Sequence, residues 1–149
     1  MKTTGNIEQC LQELGFAVVP IKGTSMWPLL KEGKCRVKVT AAEGKILKKG
    51  DIVLYRRKDG TLVLHRIMKV EEDGFRVCGD HQWKLDEKVQ EDQILAAAQG
   101  FFRNGHYIDE RTWWYRLYKK FWTENLTVRR CCLAFLRLSD LEKRSLKQL

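Results

Sequence analysis

The centre of the chain carries the pattern that decides the fold: residues 52–78 read IVLYRRKDGTLVLHRIMKVEEDGFRVC. Three apolar stretches in this segment are separated by Asp59-Gly60 and Asp73-Gly74. Such dipeptides readily adopt the positive φ angles of tight hairpins, so we predict three consecutive antiparallel strands. These predicted strands are Ile52–Tyr55, Leu62–Ile67 and Phe75–Cys78.

Strand signals continue on both sides of this segment. Upstream, Phe16–Val19 is rich in β-forming residues and stops at Pro20, and Cys35–Val39 alternates with period two. Downstream, the turn dipeptide Asn104-Gly105 separates two more apolar pairs, Phe101-Phe102 and Tyr107-Ile108. We therefore predict a mainly β fold, a twisted antiparallel meander running from about residue 16 to residue 108.

Helical spacing appears at the two ends of the chain. At the N-terminus we predict a short helix over Asn6–Leu14, capped by Thr4 and ended by Gly15. Residues 110–149 contain neither glycine nor proline, and their apolar residues recur at helical intervals, which predicts a helical extension. We expect residues 1–109 to form one domain, with residues 110–149 packed on it as an amphipathic basic extension.

The extension is predicted to contain two helices. The first would turn one face toward the core, and this face consists of Trp114, Leu117, Tyr118, Phe121 and Trp122. Thr127 would cap the second helix. Cys131 and Cys132 lie in an apolar run, so we expect them in the core.

Composition and charge bound the function. A chain of 149 residues with 44% hydrophobic and 32% charged residues corresponds to about one folded domain and excludes a disordered protein. The net charge is +9, of which residues 101–149 contribute +6 with 11 basic and five acidic side chains. We expect this excess to lie away from the candidate site and to serve docking. Five cysteines without CxxC spacing suggest neither a disulfide framework nor a zinc site, and we expect no cofactor and a cytoplasmic location.

Three short segments carry residues suited to catalysis. Residues 23–28 (GTSMWP) place Ser25 on a glycine-flanked turn, although an ordinary loop serine would give the same pattern. His65 follows a strand pattern that points it to the face opposite Arg66, as a core histidine or as a base. Residues 79–82 (GDHQ) and Asp86 supply two acids that are either solvated or able to orient an imidazole. A metal site using His81 ranks low because no second histidine has ligand spacing.

Taken in order, these segments resemble the type I signal peptidases and the LexA-like self-cleaving proteins. GTSMWP resembles the serine box of that superfamily, and KGDIV at 49–53 resembles the strand that follows the box. LHR at 64–66 resembles the segment that carries the general base, and GDHQ resembles the Gly-Asp box. The segment ILAAAQG at 94–100 resembles the closing strand, so that the resemblance covers about residues 18–108 and implies the signal-peptidase fold.

Because the residue at the base position is a histidine, the chain resembles the endoplasmic-reticulum and archaeal subtype of signal peptidases. The resemblance implies Ser25 as nucleophile, His65 as general base and Asp86 as the acid that orients it, with Asp80 in a supporting role. It further implies substrate contacts by the residues around the serine, which are Gly23, Thr24, Met26 and Pro28. We expect the chain to depart from these relatives in having no N-terminal membrane anchor, and it carries His81 and Gln82 in the Gly-Asp box.

The expected function is a serine endopeptidase that hydrolyses a leader or signal-like peptide of a precursor protein. The alternative is a non-enzymatic module that uses the basic aromatic helices to bind a peptide, an anionic membrane or, last in order, a nucleic acid. For a cytoplasmic protein, we also expect that peripheral contact with the inner face of the membrane is possible. Self-cleavage in the LexA manner is less favoured, because only two dozen residues precede Ser25.

Overall fold

A seven-stranded antiparallel sheet with three helices forms the body of the protein, a mainly β architecture. The structure is a computed structural model, and it describes residues 3–86 and 88–146. The elements in chain order are α1 (Thr3–Leu14), β1 (Phe16–Pro20), β2 (Cys35–Ala41), β3 (Ile52–Arg56), β4 (Leu62–Glu71), β5 (Gly74–Cys78), a 3₁₀ turn (Glu91–Gln93), β6 (Ile94–Arg103), β7 (His106–Asp109), α2 (Trp113–Glu124) and α3 (Leu126–Leu146).

The strand order departs from the predicted meander. The sheet runs β1-β2-β6-β3-β4-β5, with β7 pairing on β6. Strand β6 inserts between β2 and β3, so Ala97 pairs with Val53 on one side and with Thr40 on the other. A simple meander from residue 16 to 108 is therefore wrong: the pairs β1–β2 and β6–β7 and the run β3–β4–β5 follow the chain order, but β2 and β3 are not neighbours. Turn dipeptides predict only which strands are joined by a tight turn. The pairings of β6 with β2 and β3 join segments far apart in the chain, so no turn dipeptide predicts them.

The three predicted hairpins are confirmed. Asp59-Gly60 lies in the loop between β3 and β4, and Asn104-Gly105 joins β6 to β7. Between β4 and β5 the turn lies one residue earlier than the predicted dipeptide, at Glu72 and Asp73, and Gly74 begins β5. Asn104 has a φ of 51° and Gly105 a φ of 79°, the positive angles that a two-residue hairpin turn requires.

Helix α1 is longer than predicted. It begins at Thr3, so Thr4 lies inside the helix and the prediction that Thr4 caps it is wrong. The end of the helix matches the prediction, because Gly15 has a φ of 75° and its N–H donates to the Leu11 carbonyl over 3.1 Å. Ile7 and Leu11 are buried against the sheet.

Helix α2 packs only part of the predicted face on the core, where Trp114 and Tyr118 are partly buried. Tyr115 and Trp122 are buried, whereas Leu117 and Phe121 are exposed. The predicted face left out Tyr115 and included Leu117 and Phe121, because aromatic residues on both sides of α2 made the choice of face ambiguous.

Helix α3 begins at Leu126, one residue before the predicted cap. The side chain of Asn125 fills that role instead, since its Oδ1 accepts from the Val128 N–H at 3.1 Å. Cys131 is exposed, so its expected place in the core is wrong; Leu133 is fully buried.

Strand β3 links the two apolar clusters that fix the sheet. Ile52 and Leu54 belong to the larger cluster with α1, β1 and β2, and Val53 and Tyr55 belong to the smaller one with β4 and β5. Because successive side chains of a strand point to opposite faces, both faces of β3 are packed. This packing gives the neighbouring strand β4 a rigid support.

Candidate active site

Strand β4 sends two adjacent basic side chains to opposite faces of the sheet. In the β3–β4 register His65 lies opposite Val53, and Arg66 lies opposite Ile52. His65 and Arg66 are both buried. Each meets one of the two acids that follow β5, and the two pairs have different surroundings.

The imidazole of His65 pairs with Asp86. The distance from Nδ1 of His65 to Oδ2 of Asp86 is 2.5 Å, the length of a short charge-assisted hydrogen bond. The Asp86 N–H donates to the Val77 carbonyl at 2.9 Å, which ties the loop carrying the acid to the end of β5. The fold thus fixes the carboxylate on one ring nitrogen and leaves Nε2 for another partner.

Two side chains of the β3 end hold the Asp86 carboxylate in place. The hydroxyl of Tyr55 donates to Oδ2 over 3.1 Å, and Nη2 of Arg57 lies 3.4 Å from the same oxygen. Burial and the neighbouring charge of Asp86 raise the pKa of Tyr55, so its hydroxyl stays protonated and donating. Sequence reasoning missed both residues, and no local pattern in residues 55–57 marks them.

Burial governs the protonation of His65. It lowers the pKa of the imidazole below its usual 6.5, and the negative charge of Asp86 opposes this by favouring the protonated form. The neutral ring therefore prevails at neutral pH. A neutral ring whose Nδ1–H is held by a carboxylate presents an unprotonated Nε2, the form that can accept a proton.

Ser25 occupies a tight turn after β1. Gly23 has a φ of 73°, an angle that a residue with a side chain rarely adopts, and this lets the chain reverse before the serine. The turn closes where the Trp27 N–H donates to the Thr24 carbonyl at 3.0 Å, and Leu30 then donates to Met26 at 2.9 Å. Ser25 is half-buried in this turn.

Ser25 and His65 line the same cleft, whose volume is about 630 Å³. Gly79 connects them: a Cβ added there would lie 2.4 Å from the Ser25 carbonyl oxygen and 3.1 Å from Nε2 of His65. The free ring nitrogen of His65 therefore faces the turn that carries the serine. Among the described residues the Ser25 hydroxyl and His65 line one cleft and are not joined by a hydrogen bond.

The residues predicted to bind substrate divide into two groups. Met26 lines the cleft with its buried side chain. Gly23, Thr24 and Pro28 are not among its lining residues. The lining comes instead from the end of β1 and the start of β4, including Val19, Ile21 and Leu64.

Asp80 lies on the other face and does not support His65 by direct contact. Its carboxylate makes two hydrogen bonds with Arg66, of 2.7 and 2.8 Å, and both side chains are fully buried. The charge of Asp80 holds the pKa of Arg66 well above its usual value, although burial by itself would lower it. The contacts of Asp80 are thus with Arg66 rather than with His65, since the β4 pleat turns Arg66 away from His65. The supporting role expected of Asp80 would act without contact, through its charge, which favours the protonated ring of His65 and so opposes the lowering of its pKa by burial.

Helix α2 closes the space around Asp80. The Tyr118 hydroxyl donates to Oδ2 of Asp80 at 3.0 Å, and the indole Nε1 of Trp122 donates to its backbone carbonyl at 2.9 Å. The two rings stack with centroids 5.2 Å apart. Burial and the charge of Asp80 raise the pKa of Tyr118, which keeps the hydroxyl a donor.

Helix α3 contributes Arg129, which is fully buried behind the same loop. Its guanidinium donates at 3.1 Å to the Gly79 and Gln82 carbonyls, and at 2.7 Å to the carbonyl of Trp122. The helical extension therefore braces residues 79–82, and the expectation that its charge lies away from the site is wrong for Arg129. One sequence feature could have indicated this role: Arg129 lies four residues before Leu133, so the two side chains share one face of the helix.

The brace reaches the serine turn through one backbone contact. The N–H of His81 donates to the carbonyl of Ser25 at 2.8 Å. The His81 ring packs edge-on against Trp27, and Arg137 of α3 lies 3.1 Å from its Nε2. Ser25, His65 and the 79–82 loop thus form one connected unit with α2 and α3 behind it.

Comparison with known proteins assigns no family, since no family model and no curated protein matches the chain. In the part of the chain that the structure describes, no helix is both long and apolar enough to cross a membrane. Within residues 3–86 and 88–146, no three histidine, cysteine or acidic side chains gather where they could hold a metal ion. The fold brings the imidazole of His65 to the carboxylate of Asp86, and Ser25 lines the same cleft as His65.

Proposed function

We propose that the protein is a serine endopeptidase of the signal-peptidase type, which cleaves a leader or signal-like peptide from a precursor. The observation that carries the proposal is the 2.5 Å pair of His65 and Asp86, whose free ring nitrogen faces the Ser25 turn. A serine, a histidine and an acid with this order of contacts are the parts of an acyl-transfer triad. The antiparallel sheet is consistent with the fold of the signal peptidases that the sequence resembles.

The proposed reaction passes through an acyl-enzyme. The Ser25 oxygen attacks the peptide carbonyl carbon while its proton passes to Nε2 of His65. Asp86 stabilises the imidazolium, which then returns the proton to the leaving amine as the C–N bond breaks. Water next attacks the ester, His65 takes a proton from it, and Ser25 is released with its hydroxyl restored. Serine and histidine approach to hydrogen-bond distance when substrate binds, as catalytic hydrogen bonds commonly tighten in the Michaelis complex.

The negative oxygen of the intermediate needs donors close to Ser25. In the described residues the backbone N–H groups of Ser25 and Met26 donate to no protein acceptor, whereas that of Trp27 is used within the turn. A free N–H next to the nucleophile is a suitable donor for the oxyanion, and each such donor contributes about 10²–10³-fold to the rate. Gly23 supplies no hydroxyl there, so the backbone carries this role.

The cleft suits an extended peptide. Among the described strands, β1 pairs only with β2, so its second edge has unpaired N–H and C=O groups. Val19, Pro20 and Ile21 at the end of β1 line the cleft beside Ser25. If a peptide adds to this edge as a further strand, its scissile bond lies next to the Ser25 turn. Small side chains at the cleavage positions follow from the resemblance to signal peptidases.

Ser25→Ala tests the proposal. Removal of the nucleophile is expected to lower turnover on leader-bearing precursors about 10⁶-fold, with cleavage mapped by mass spectrometry. Labelling by a fluorophosphonate probe is expected in the unaltered protein and to be lost in both Ser25→Ala and His65→Ala. Ser139→Ala is the matched control, because that serine lies on α3 and its hydroxyl bonds to the Leu136 carbonyl. Full activity in Ser25→Ala would overturn the assignment.

A further inference from the structure

The outer face of helix α2 exposes a row of large apolar side chains. Trp113, Leu117 and Phe121 follow one another at intervals of four residues, so they form one stripe along the helix. Their exposed fractions are 73%, 61% and 53%. The opposite side of α2 is already engaged with Asp80 and Arg66, so this stripe is not needed to hold the helix on the sheet.

The loop before β3 extends this apolar surface. Ile46 is 86% exposed, and with Trp113 and Leu117 it lines a shallow groove of about 930 Å³. Two separate segments of the chain therefore contribute large apolar groups to one solvent-facing surface. We call Ile46, Trp113, Leu117 and Phe121, with the basic residues beside them, the α2 outer face.

The charges around the groove are mainly positive. Its exposed basic residues are Lys48, Lys49, Arg111, Arg116 and Lys120. Asp51 in the groove is neutralised by Lys119 at 2.9 Å, and Arg111 is paired with Asp109 outside it. Two exposed acids, Glu110 and Glu124, remain on this surface. The balance favours an anionic partner.

We propose that the α2 outer face docks the protein on an anionic lipid surface. Tryptophan, leucine and phenylalanine on one helix face, bordered by lysine and arginine, are the composition of helices that lie in the membrane interface. The apolar side chains enter the boundary of the acyl chains, and the long basic side chains reach back to anionic headgroups. This contact does not depend on catalysis.

A single-stranded nucleic acid fits the same surface less well. Bases stack on aromatic rings, and successive bases need successive rings along a positive groove. Here the groove places Ile46 and Leu117 around Trp113, and aliphatic side chains offer no ring for stacking. The aliphatic share of the surface therefore favours lipid.

Co-sedimentation of the full chain with vesicles tests this proposal. We expect binding to vesicles of phosphatidylglycerol and phosphatidylcholine at low salt, and weaker binding at high salt or to phosphatidylcholine alone. Arg116→Gln is expected to weaken the binding about fivefold. Leu117→Ala is expected to weaken it about tenfold through the loss of buried methyl groups. Ser25→Ala, which abolishes the proposed reaction, is expected to bind normally, so the two proposals fail separately.

Leu14→Ala is the matched control for Leu117→Ala. Leu14 lies on α1 and is 63% exposed, almost the same fraction as Leu117. Because both side chains are exposed, neither variant is expected to change the circular dichroism spectrum or the unfolding midpoint. Equal vesicle binding by the two variants would overturn the proposal, as would absence of binding at low salt. Binding to a single-stranded oligonucleotide that depends on Leu117, without vesicle binding, would assign the surface to nucleic acid instead.

Discussion

Two acid–base pairs share one strand and one loop, and they differ in almost everything else. His65 and Arg66 are neighbours on β4, and Asp86 and Asp80 are six residues apart after β5. In the His65–Asp86 pair, His65 lines the cleft and Asp86 remains partly exposed beside Arg57. The Arg66–Asp80 pair is fully buried under Tyr118 and Trp122.

The difference shows how one strand can serve chemistry on one face and structure on the other. Histidine changes its charge near neutral pH, and a partly hydrated acid can accommodate that change. Arginine keeps its charge, and its fork geometry matches a carboxylate with two parallel hydrogen bonds. The first pair is suited to moving a proton, and the second to holding residues 79–82 beside the serine turn.

Asp86→Asn breaks the first pair and is expected to have the largest effect. Without the negative charge the imidazolium is not stabilised, and the tautomer of His65 is no longer fixed. Turnover should fall about 10⁴-fold, by analogy with the same change in other triads. Steady-state kinetics measures the loss. Asp92→Asn, at an exposed acid of the 3₁₀ turn, is the control and should retain normal turnover. A loss of less than tenfold in Asp86→Asn would contradict the proposed role.

Arg66→Met breaks the second pair and is expected to act on stability. It leaves the carboxylate of Asp80 buried without its partner, which should lower the free energy of unfolding by about 3–5 kcal/mol. Urea denaturation measures this change. The double variant Arg66→Met/Asp80→Leu removes both charges and should recover part of the loss. If the single variant unfolds at the same urea concentration as the unaltered protein, the buried pair has no structural role.

Arg129→Met tests the brace behind the second pair. It removes the donors that satisfy the carbonyl groups of Gly79, Gln82 and Trp122, and should cost about 2–3 kcal/mol. Arg130→Met is the control, because the neighbouring arginine is exposed and should change stability by less than about 0.5 kcal/mol. Equal unfolding midpoints for the two variants would show that the brace is dispensable.

The smallest expected effect is a shift in the acid limb of the pH–rate profile, which reports the protonation of His65. Since burial lowers the pKa of His65, kcat/KM should reach its plateau with an apparent pKa below 6.5. The charge of Asp86 favours the protonated ring, so removing it in Asp86→Asn should move the limb of the residual activity to lower pH. A shift to higher pH would mean that Asp86 does not act on His65 electrostatically.

Local turn chemistry made much of the sheet predictable. Hairpins form at or within one residue of Asp59-Gly60, Asp73-Gly74 and Asn104-Gly105, where these dipeptides predict them. Strand alternation also separated His65 from Arg66 correctly, because the pleat allows no other arrangement. The pairing of His65 with Asp86 followed from a resemblance, and the structure brings the two side chains together.

Other features needed contacts between distant segments. The position of β6 between β2 and β3 depends on pairings over dozens of residues, which no turn signal encodes. Helix caps at Thr4 and Thr127 were misplaced because a residue type suits a cap only where the helix actually begins. The roles of Tyr55 and Arg129 depend on partners 31 and about 50 residues away.

The sequence by itself determined the strands, the hairpins and the residue types available for chemistry, because these follow from backbone preferences and side-chain alternation over a few residues. Only the tertiary structure decided which acid meets which base, which side of α2 faces solvent, and that the C-terminal helices brace the serine turn. Those outcomes depend on burial: a charge or hydroxyl without a nearby partner is costly inside a protein. The fold therefore brings each buried polar group to a partner that local sequence cannot name.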